Sequence, residues 1–309
     1  MNNKILIEHY QNINNNFNKE LVFRLGSEAG FFSEYNNMVF AIIYCLDKKI
    51  KFTLSSNNSN FSKIGWQEYF NEFCPQVYDE FHIKSNYRVH QKPTIVKLIK
   101  DKLRKRKSSP YLTQDLWLKF HSSSFQKLNF NIEQLKIQGN LLKASQRIIS
   151  ITWQYNNTIR KQIDSMINAL LLPKNYASLH IRMGDKHKET QITDPERYVE
   201  KLEQYTDVKN IFVATDDYSV ITRLQERFPF YRFTSLTASH ANGYDQQEFT
   251  NFNQNKKHSE LVAFFASIEI LSNSTSLICT FTSNVGMYLA MRRGLLNTHD
   301  VNERNWAIW

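Results

Sequence analysis

The sequence predicts an α/β protein made of two units, each a parallel sheet between helices, facing a central cleft. Three observations carry this. In the C-terminal half, short apolar runs alternate with stretches at helical spacing, the pattern of strands joined by crossover helices. The chain also opens with a strand, a glycine-containing loop, a helix and a strand between Leu21 and Leu54, which is a βαβ unit. Polar clusters then follow the later apolar runs, where an open parallel sheet receives its ligands. The expected division is 1–150 and 151–309.

Leu21–Leu25 reads as a strand ending at Gly26, Tyr35–Leu46 as an apolar helix and Lys49–Leu54 as an alternating strand. Gly26 and Gly30 carry no side chain, so the loop between them is either a simple turn or a backbone that approaches a ligand closely. It has neither the dinucleotide nor the P-loop glycine spacing. Helical patches are expected at Trp66–Phe73 and Asn131–Ile149. A long amphipathic helix is expected at Thr152–Leu172, where Ile159, Ile163, Met166, Ile167, Leu170 and Leu171 recur at helical spacing before Pro173. Strands follow at Ala177–Ile181, Asn210–Ala214, Tyr231–Phe233 and Ser276–Thr280. Helices are expected from Asp194-Pro195, at Val220–Phe228, at Glu260–Leu271 and at Ser283–Arg293.

With 309 residues, 41% hydrophobic and only 8 Gly and 6 Pro, the chain is globular, not a repeat, a collagen or a disordered tail. Its formal charge of +10 favours anionic partners. Lys97–Lys107 (KLIKDKLRKRK) holds seven basic residues and one acid. It is either a solvated face or a patch for an anionic membrane surface. No RNA-binding or zinc-finger pattern points to nucleic acid. Cys45, Cys74 and Cys279 are too far apart for a disulfide framework or a zinc site and read as buried thiols. There is no signal-peptide core and no apolar run of about 18 residues.

Three clusters end successive strands: His180, Arg182, Asp185 and Lys186; Thr215, Asp216 and Asp217; Thr280, Thr282, Ser283 and Asn284. Arg182 offers a planar fork of donors for a phosphate. A hydroxyl-rich helix start suits the same group. Each cluster has a plainer reading, since Asp216 and the hydroxyls are also N-cap types. Donors aimed at a departing diphosphate lower the barrier of transfer without a metal. No metal-binding carboxylate pair is found, because Asp216 and Asp217 are adjacent and point apart in an extended chain. A base near an acceptor hydroxyl is also needed. Glu189 is the first candidate, with Asp185 and Asp216 as alternatives, although Lys186–Glu189 also reads as a solvated loop.

His180-Ile181-Arg182-Met183-Gly184-Asp185-Lys186 resembles the H-x-R-x-x-D-K signature of α1,6-fucosyltransferases. Phe212-Val213-Ala214-Thr215-Asp216-Asp217 is similar to that family's A-T-D-D strand end, and Cys279–Val285 to its C-T-F-S-S-x-V segment. The resemblance covers residues 175–293 and, more loosely, 21–54, where Gly26–Leu46 is similar to the family's opening βα loop. It implies a GT-B-like fold, a GDP-fucose donor, no further cofactor, and inversion at the sugar. It also implies a glycan acceptor on the N-terminal domain and the nucleotide sugar on the C-terminal one. On this likeness Arg182 binds the β-phosphate, His180 and Asp216 line the donor pocket, and Ser283 contacts the diphosphate. Lys186, Asp217, Thr282, Gly26 and Gly30 complete the donor set, and Glu189 resembles the base, one residue nearer to Asp185-Lys186 than in the family.

One departure affects the donor. The family's guanine-reading Asp falls on Ser267 when Leu271-Ser272 are aligned, and Glu269 lies on nearly the opposite helix side. Another GDP- or UDP-sugar is therefore the alternative donor. The animal enzyme's anchor, stem coiled coil and C-terminal SH3 domain find no counterpart. The expectation is a bare catalytic core, cytoplasmic or peripheral at the inner membrane face. A non-catalytic glycan- or membrane-surface-binding module is the reading from another class, and it leaves the three clusters unexplained. The aromatics Trp66, Tyr69, Phe70 and Trp117 are either core residues or platforms for acceptor sugars.

Overall fold

The computed structural model describes residues 3–26, 29–89, 99, 110–184 and 193–308. The chain divides into two compact units, 1–156 and 157–309.

The N-terminal unit runs α1 (Asn3–Asn15), β1 (Lys19–Arg24), α2 (Phe31–Lys48), β2 (Ile50–Ser55), α3 (Glu80–Ser85), β3 (Tyr111–Leu112), α4 (Thr113–Phe120), α5 (Ser123–Gln126), β4 (Asn129–Ile132), β5 (Ile137–Asn140) and α6 (Leu141–Thr152). Its main sheet has the order β2-β1-β3, all parallel, with Leu21 between Phe52 and Tyr111. The apolar run expected as a helix is α2, buried along nearly its whole length. Rings from α2 meet those of the following loop and of the unit's end: Tyr35 stacks on Trp66 at 6.1 Å, and Phe32 on Trp153 at 5.5 Å. Trp66, Tyr69, Phe70 and Trp117 are all buried. They are core residues, not platforms for sugar rings.

Three expected helices fare differently. Trp66–Phe73 contains only the single 3-10 turn Trp66–Glu68. Tertiary bonds replace a helical ladder there, with the Trp66 N–H donating to Ser56 Oγ (2.9 Å) and the Asn71 N–H to the Gln154 carbonyl (2.7 Å). Asn131–Ile149 begins as the antiparallel hairpin β4–β5, because Lys136 (φ 52°) and Gly139 (φ 133°) take positive φ that a helix forbids. The helix starts only after Asn140, whose Oδ1 caps the Lys143 N–H at 3.1 Å. The stretch Thr152–Leu172 is helical only from Asn157 to Ala169: Thr152 ends α6, and Trp153–Asn156 lie between the two helices where one unit gives way to the next. Asn156 Nδ2 there donates to the Gln67 and Glu68 carbonyls.

The C-terminal unit runs α7 (Asn157–Ala169), β6 (Ala177–Ile181), α8 (Pro195–Leu202), β7 (Asn210–Thr215), α9 (Ser219–Arg227), β8 (Arg232–Thr234), α10 (Gln246–Asn251), α11 (Gln254–Asn273), β9 (Leu277–Cys279), α12 (Asn284–Arg293) and β10 (Thr298–Asp300). The sheet is parallel throughout, in the order β10-β9-β6-β7-β8. All five residues of β6 are buried, as befits a central strand covered on both faces. Leu179, Ile181, Val199, Leu202, Ile211, Val213 and Ile278 form its core. Pro195 starts α8 as expected, but Asp194 makes no side-chain cap bond and lies 3.5 Å from Arg223 instead. The chain enters the sheet at β6, winds outward through β7 to β8, and returns to the other side of β6 as β9. The strand order therefore reverses between β6 and β9. All three cysteines are free and buried, and burial pushes their thiols up. Among the described residues, no helix is long and apolar enough to cross a membrane.

Candidate active site

In an open parallel sheet, the carboxyl ends of the strands diverge where the winding direction switches, and the crevice left there receives ligands. In the C-terminal unit this point lies between β6 and β9, which pair directly through Ser178 with Leu277 and Leu179 with Ile278. Their ends are one strand spacing apart, about 4.8 Å. The first and third polar clusters of the sequence leave the sheet at this point.

His180 is the penultimate residue of β6 and is buried. Burial, aided by the neighbouring charge of Arg182, pushes its imidazole down to about 3. The ring is therefore neutral throughout the physiological range, and its Nδ1 has no hydrogen-bond partner among the described residues. Arg182 follows one residue beyond the strand and keeps 30% of its side chain exposed. Its Nε lies 3.9 Å from Asp216 Oδ2, and the Tyr244 ring covers its guanidinium at 4.9 Å.

Asp216 stands at the end of β7 and binds backbone on both sides. Oδ1 accepts the Met183 N–H (2.8 Å), Oδ2 accepts the Tyr244 N–H (3.2 Å), and its carbonyl accepts the Gly243 N–H (2.8 Å). Asp217 points elsewhere and accepts the Ser219 N–H at 2.9 Å, at the start of α9. Gly184 has no space for a side chain: a Cβ would lie 2.4 Å from the Tyr244 carbonyl oxygen and 2.7 Å from Asp216 Oδ2.

In the third cluster, Ser283 is the N-cap of α12. Its Oγ accepts the Gly286 N–H (2.9 Å) and donates to the Thr280 carbonyl (2.8 Å). Thr280 Oγ1 pairs with the Tyr198 hydroxyl at 2.7 Å. Thr282 is half-buried beside them. Gly286 brings α12 hard against the loop, since a Cβ there would sit 2.1 Å from the Thr280 oxygen. The backbone N–H groups of a helix's first turn face outward without intrahelical partners, so this end of α12 presents positive potential at the switch point.

In the N-terminal unit, Gly26 needs its glycine: φ is 81°, and a Cβ would meet Phe61 and Ser59 at 2.5 Å. Gly30, at φ −61° and ψ 150°, is the N-cap of α2 in a conformation open to any residue. The loop between them is held by Glu34, which accepts the Gly26 N–H (3.2 Å) and the Ala29 N–H (3.4 Å). Glu34 is fully buried and paired with Arg88 at 2.7 Å. Arg24 is buried beside them, bonded to Ser55 Oγ and the Asn58 carbonyl, and burial lowers its guanidinium.

Comparison with known proteins decides the family. The profile described as alpha-(1,6)-fucosyltransferase N- and catalytic domains matches residues 3–291. The chain belongs to the alpha-1,6-fucosyltransferase family. No curated protein matches it at the level of sequence. Among solved structures it is similar to fucosyltransferase NodZ from Bradyrhizobium, with a TM-score of 0.53 at 12% identity over 88% of this chain and 91% of that one. NodZ alpha-1,6-fucosyltransferase soaked with GDP-fucose gives 0.51 at 13% identity over 88% and 92%. A mutant of Arabidopsis thaliana FUT1 in complex with GDP gives 0.57 at 11% identity over 96% and 74%. The shared fold is GT-B-like, and the protein is a glycosyltransferase.

Ser267 is the position that aligns with the family's guanine-reading Asp when Leu271-Ser272 are matched. Ser267, on α11, turns its Oγ back to the Ala263 carbonyl (3.2 Å). Glu269 is buried and held by two bonds from Arg292, at 2.8 and 2.7 Å. Asp185, Lys186 and Glu189 lie outside the described residues, as does Lys97–Lys107 apart from Ile99. Sequence reasoning missed Tyr244 and the Glu34–Arg88 pair. The only sequence signal for Tyr244 is the turn-forming Asn242-Gly243 before it, and nothing local marks Arg88.

Proposed function

We propose that this fucosyltransferase moves fucose from GDP-fucose to a glycan hydroxyl, with inversion and without a metal. Arg182 takes the β-phosphate and is the observation that carries the reading: a part-exposed guanidinium just beyond the end of β6, the strand that pairs with β9 ahead of α12. GDP-fucose and GDP bound to similar structures support the donor. His180, buried and neutral with an unpartnered Nδ1, lines the donor pocket on this reading. Ser283 and Thr282 shape the helix start that faces the diphosphate, Ser283 acting through its cap. Asp216 supports the site by holding the ends of β6 and β7 together. Asp217, Lys186, Gly26 and Gly30 are retained as donor-side candidates, and the N-terminal unit is assigned the acceptor.

In a single displacement the acceptor oxygen bonds to the fucose anomeric carbon as the bond from that carbon to the β-phosphate oxygen breaks. The bonding electrons leave with GDP, and the acceptor proton passes to a base. Negative charge builds on the departing phosphate, where Arg182 and the α12 N-terminus stabilise it electrostatically. Asp216 is engaged by two backbone N–H groups and the nearby Arg182, which leaves Glu189 as the proposed base and Asp185 as the alternative. Inversion follows because one displacement needs no covalent intermediate.

The test is Arg182→Ala. Transfer from GDP-fucose should fall by about 100-fold or more while circular dichroism and melting stay near those of the parent protein. Near-normal turnover in that variant would remove the mechanism. A second reading, another nucleotide sugar on the same fold, is favoured by Ser267 and by the engagement of Glu269 with Arg292. Thermal stabilisation by UDP or UDP-sugars in preference to GDP would select it.

A further inference from the structure

We propose that Tyr244 is a positioning residue for transfer, its ring fixing the direction in which the Arg182 guanidinium presents its donors. The proposal rests on Arg182 being the phosphate-binding group.

An arginine side chain has many rotamers, and ordering it on binding costs entropy. One already held in place avoids that cost at the moment of binding. Here the Tyr244 ring lies over the guanidinium carbon at 4.9 Å. The negative face of the ring attracts the cation and restricts where it can swing. Asp216 Oδ2 attracts from the Nε side at 3.9 Å, beyond hydrogen-bond reach. The guanidinium is thereby held between the ring and the carboxylate.

The ring is held in turn. Its hydroxyl donates to Gln246 Oε1 at 2.8 Å, and the Tyr244 N–H donates to Asp216 at 3.2 Å. The preceding residues are fastened to the end of β7 and beyond: the Gly243 N–H donates to the Asp216 carbonyl and the Tyr218 N–H to the Ala241 carbonyl (2.9 Å). The missing side chain at Gly184 lets the Tyr244 backbone close to within van der Waals range of the β6 exit. One carboxylate thus links the strand end bearing Arg182 to the segment bearing the ring. The geometry gives Tyr244 a direct hold on Arg182 that a purely structural tyrosine would not have.

The experiment measures GDP binding by calorimetry and GDP-fucose turnover for the full chain carrying Tyr244→Leu or Tyr244→Phe, each alone and with Arg182→Ala. Tyr244→Leu should weaken GDP binding and lower kcat by about tenfold, with the acceptor KM unchanged. Tyr244→Phe, which keeps the ring, should stay within about twofold of the parent protein. In the Arg182→Ala background Tyr244→Leu should change GDP affinity no further. Tyr244→Leu behaving as the parent, Tyr244→Phe as damaged as Tyr244→Leu, or equal losses in both backgrounds would each overturn the proposal. If Tyr244→Leu does not fold, Tyr244→Met supplies the same comparison. An Arg182→Ala protein that binds GDP normally defeats the underlying reading instead, whatever the tyrosine variants do.

Discussion

Each unit ends its first sheet strand in a loop held by a carboxylate with an arginine beside it, and the two arrangements differ in one respect. In the N-terminal unit Glu34 and Arg88 meet at 2.7 Å with side-chain exposures of 0% and 6%. In the C-terminal unit Asp216 and Arg182 stand 3.9 Å apart at 15% and 30%. Both carboxylates accept two backbone N–H groups across a loop. The first arginine closes on its partner at hydrogen-bond distance, whereas the second stands beyond that distance and is more exposed. On the proposed reading, pairing distance and exposure together separate a charge that builds the fold from one that serves a ligand.

The largest expected effect tests the buried half of this contrast. Removing one member of a buried ion pair strands the other, so Glu34→Gln should cost about 3–5 kcal/mol of stability. Denaturant unfolding would show it, while GDP affinity of the folded fraction stays within about threefold. A variant with normal stability and no donor binding would reverse the assignment and make the N-terminal pair the functional one.

A smaller effect comes from His180. Its folded-state value near 3 lies below the ordinary value of 6.5, so between these limits the unfolded chain binds the extra proton. Stability from this group is complete above about pH 6.5 and falls as pH drops toward 3, by about 2 kcal/mol at pH 5. Replacing it by the non-titrating His180→Asn should flatten the fall in melting temperature between pH 6.5 and 4. An unchanged slope would mean that the imidazole is not buried neutral. The smallest effect is none at all. If Arg182 supplies the positive charge at the phosphate, EDTA leaves turnover unchanged, and a loss restored by a divalent ion would show that the arginine does not act alone.

Much of the C-terminal unit was legible in the sequence because its strands are buried on both faces. Continuous apolar runs such as Ala177–Ile181 stop abruptly at polar residues. The strand order was not legible. Nothing local to Leu277–Cys279 says that it pairs with β6 and not with β8, its predecessor in the sequence. Residues 131–149 failed for another reason: apolar spacing there fits a helix, but the positive φ at Lys136 and Gly139 turns the chain into a hairpin first. The helix expected from Thr152 starts only at Asn157, because the residues before it bond to the loop near Tyr69 instead of to a helical ladder: the Asn71 N–H donates to the Gln154 carbonyl and the Asn156 N–H to the Tyr69 carbonyl. In the site, His180 and Arg182 announced themselves by spacing. Asp216 was visible as a residue but not as a clasp, because its partners Met183 and Tyr244 are remote in sequence.

The pairing of β6 with β9 also bears on synthesis. Leu277 lies roughly a hundred residues after its partner Ser178, a long loop to close. A ribosome-bound chain that has emerged as far as Arg182 has the end of β6 without its β9 neighbour. The proposed donor site can therefore form only after β9 and the start of α12 have emerged, and a truncation before β9 would leave that side of β6 open to aggregation in place of a sluggish enzyme.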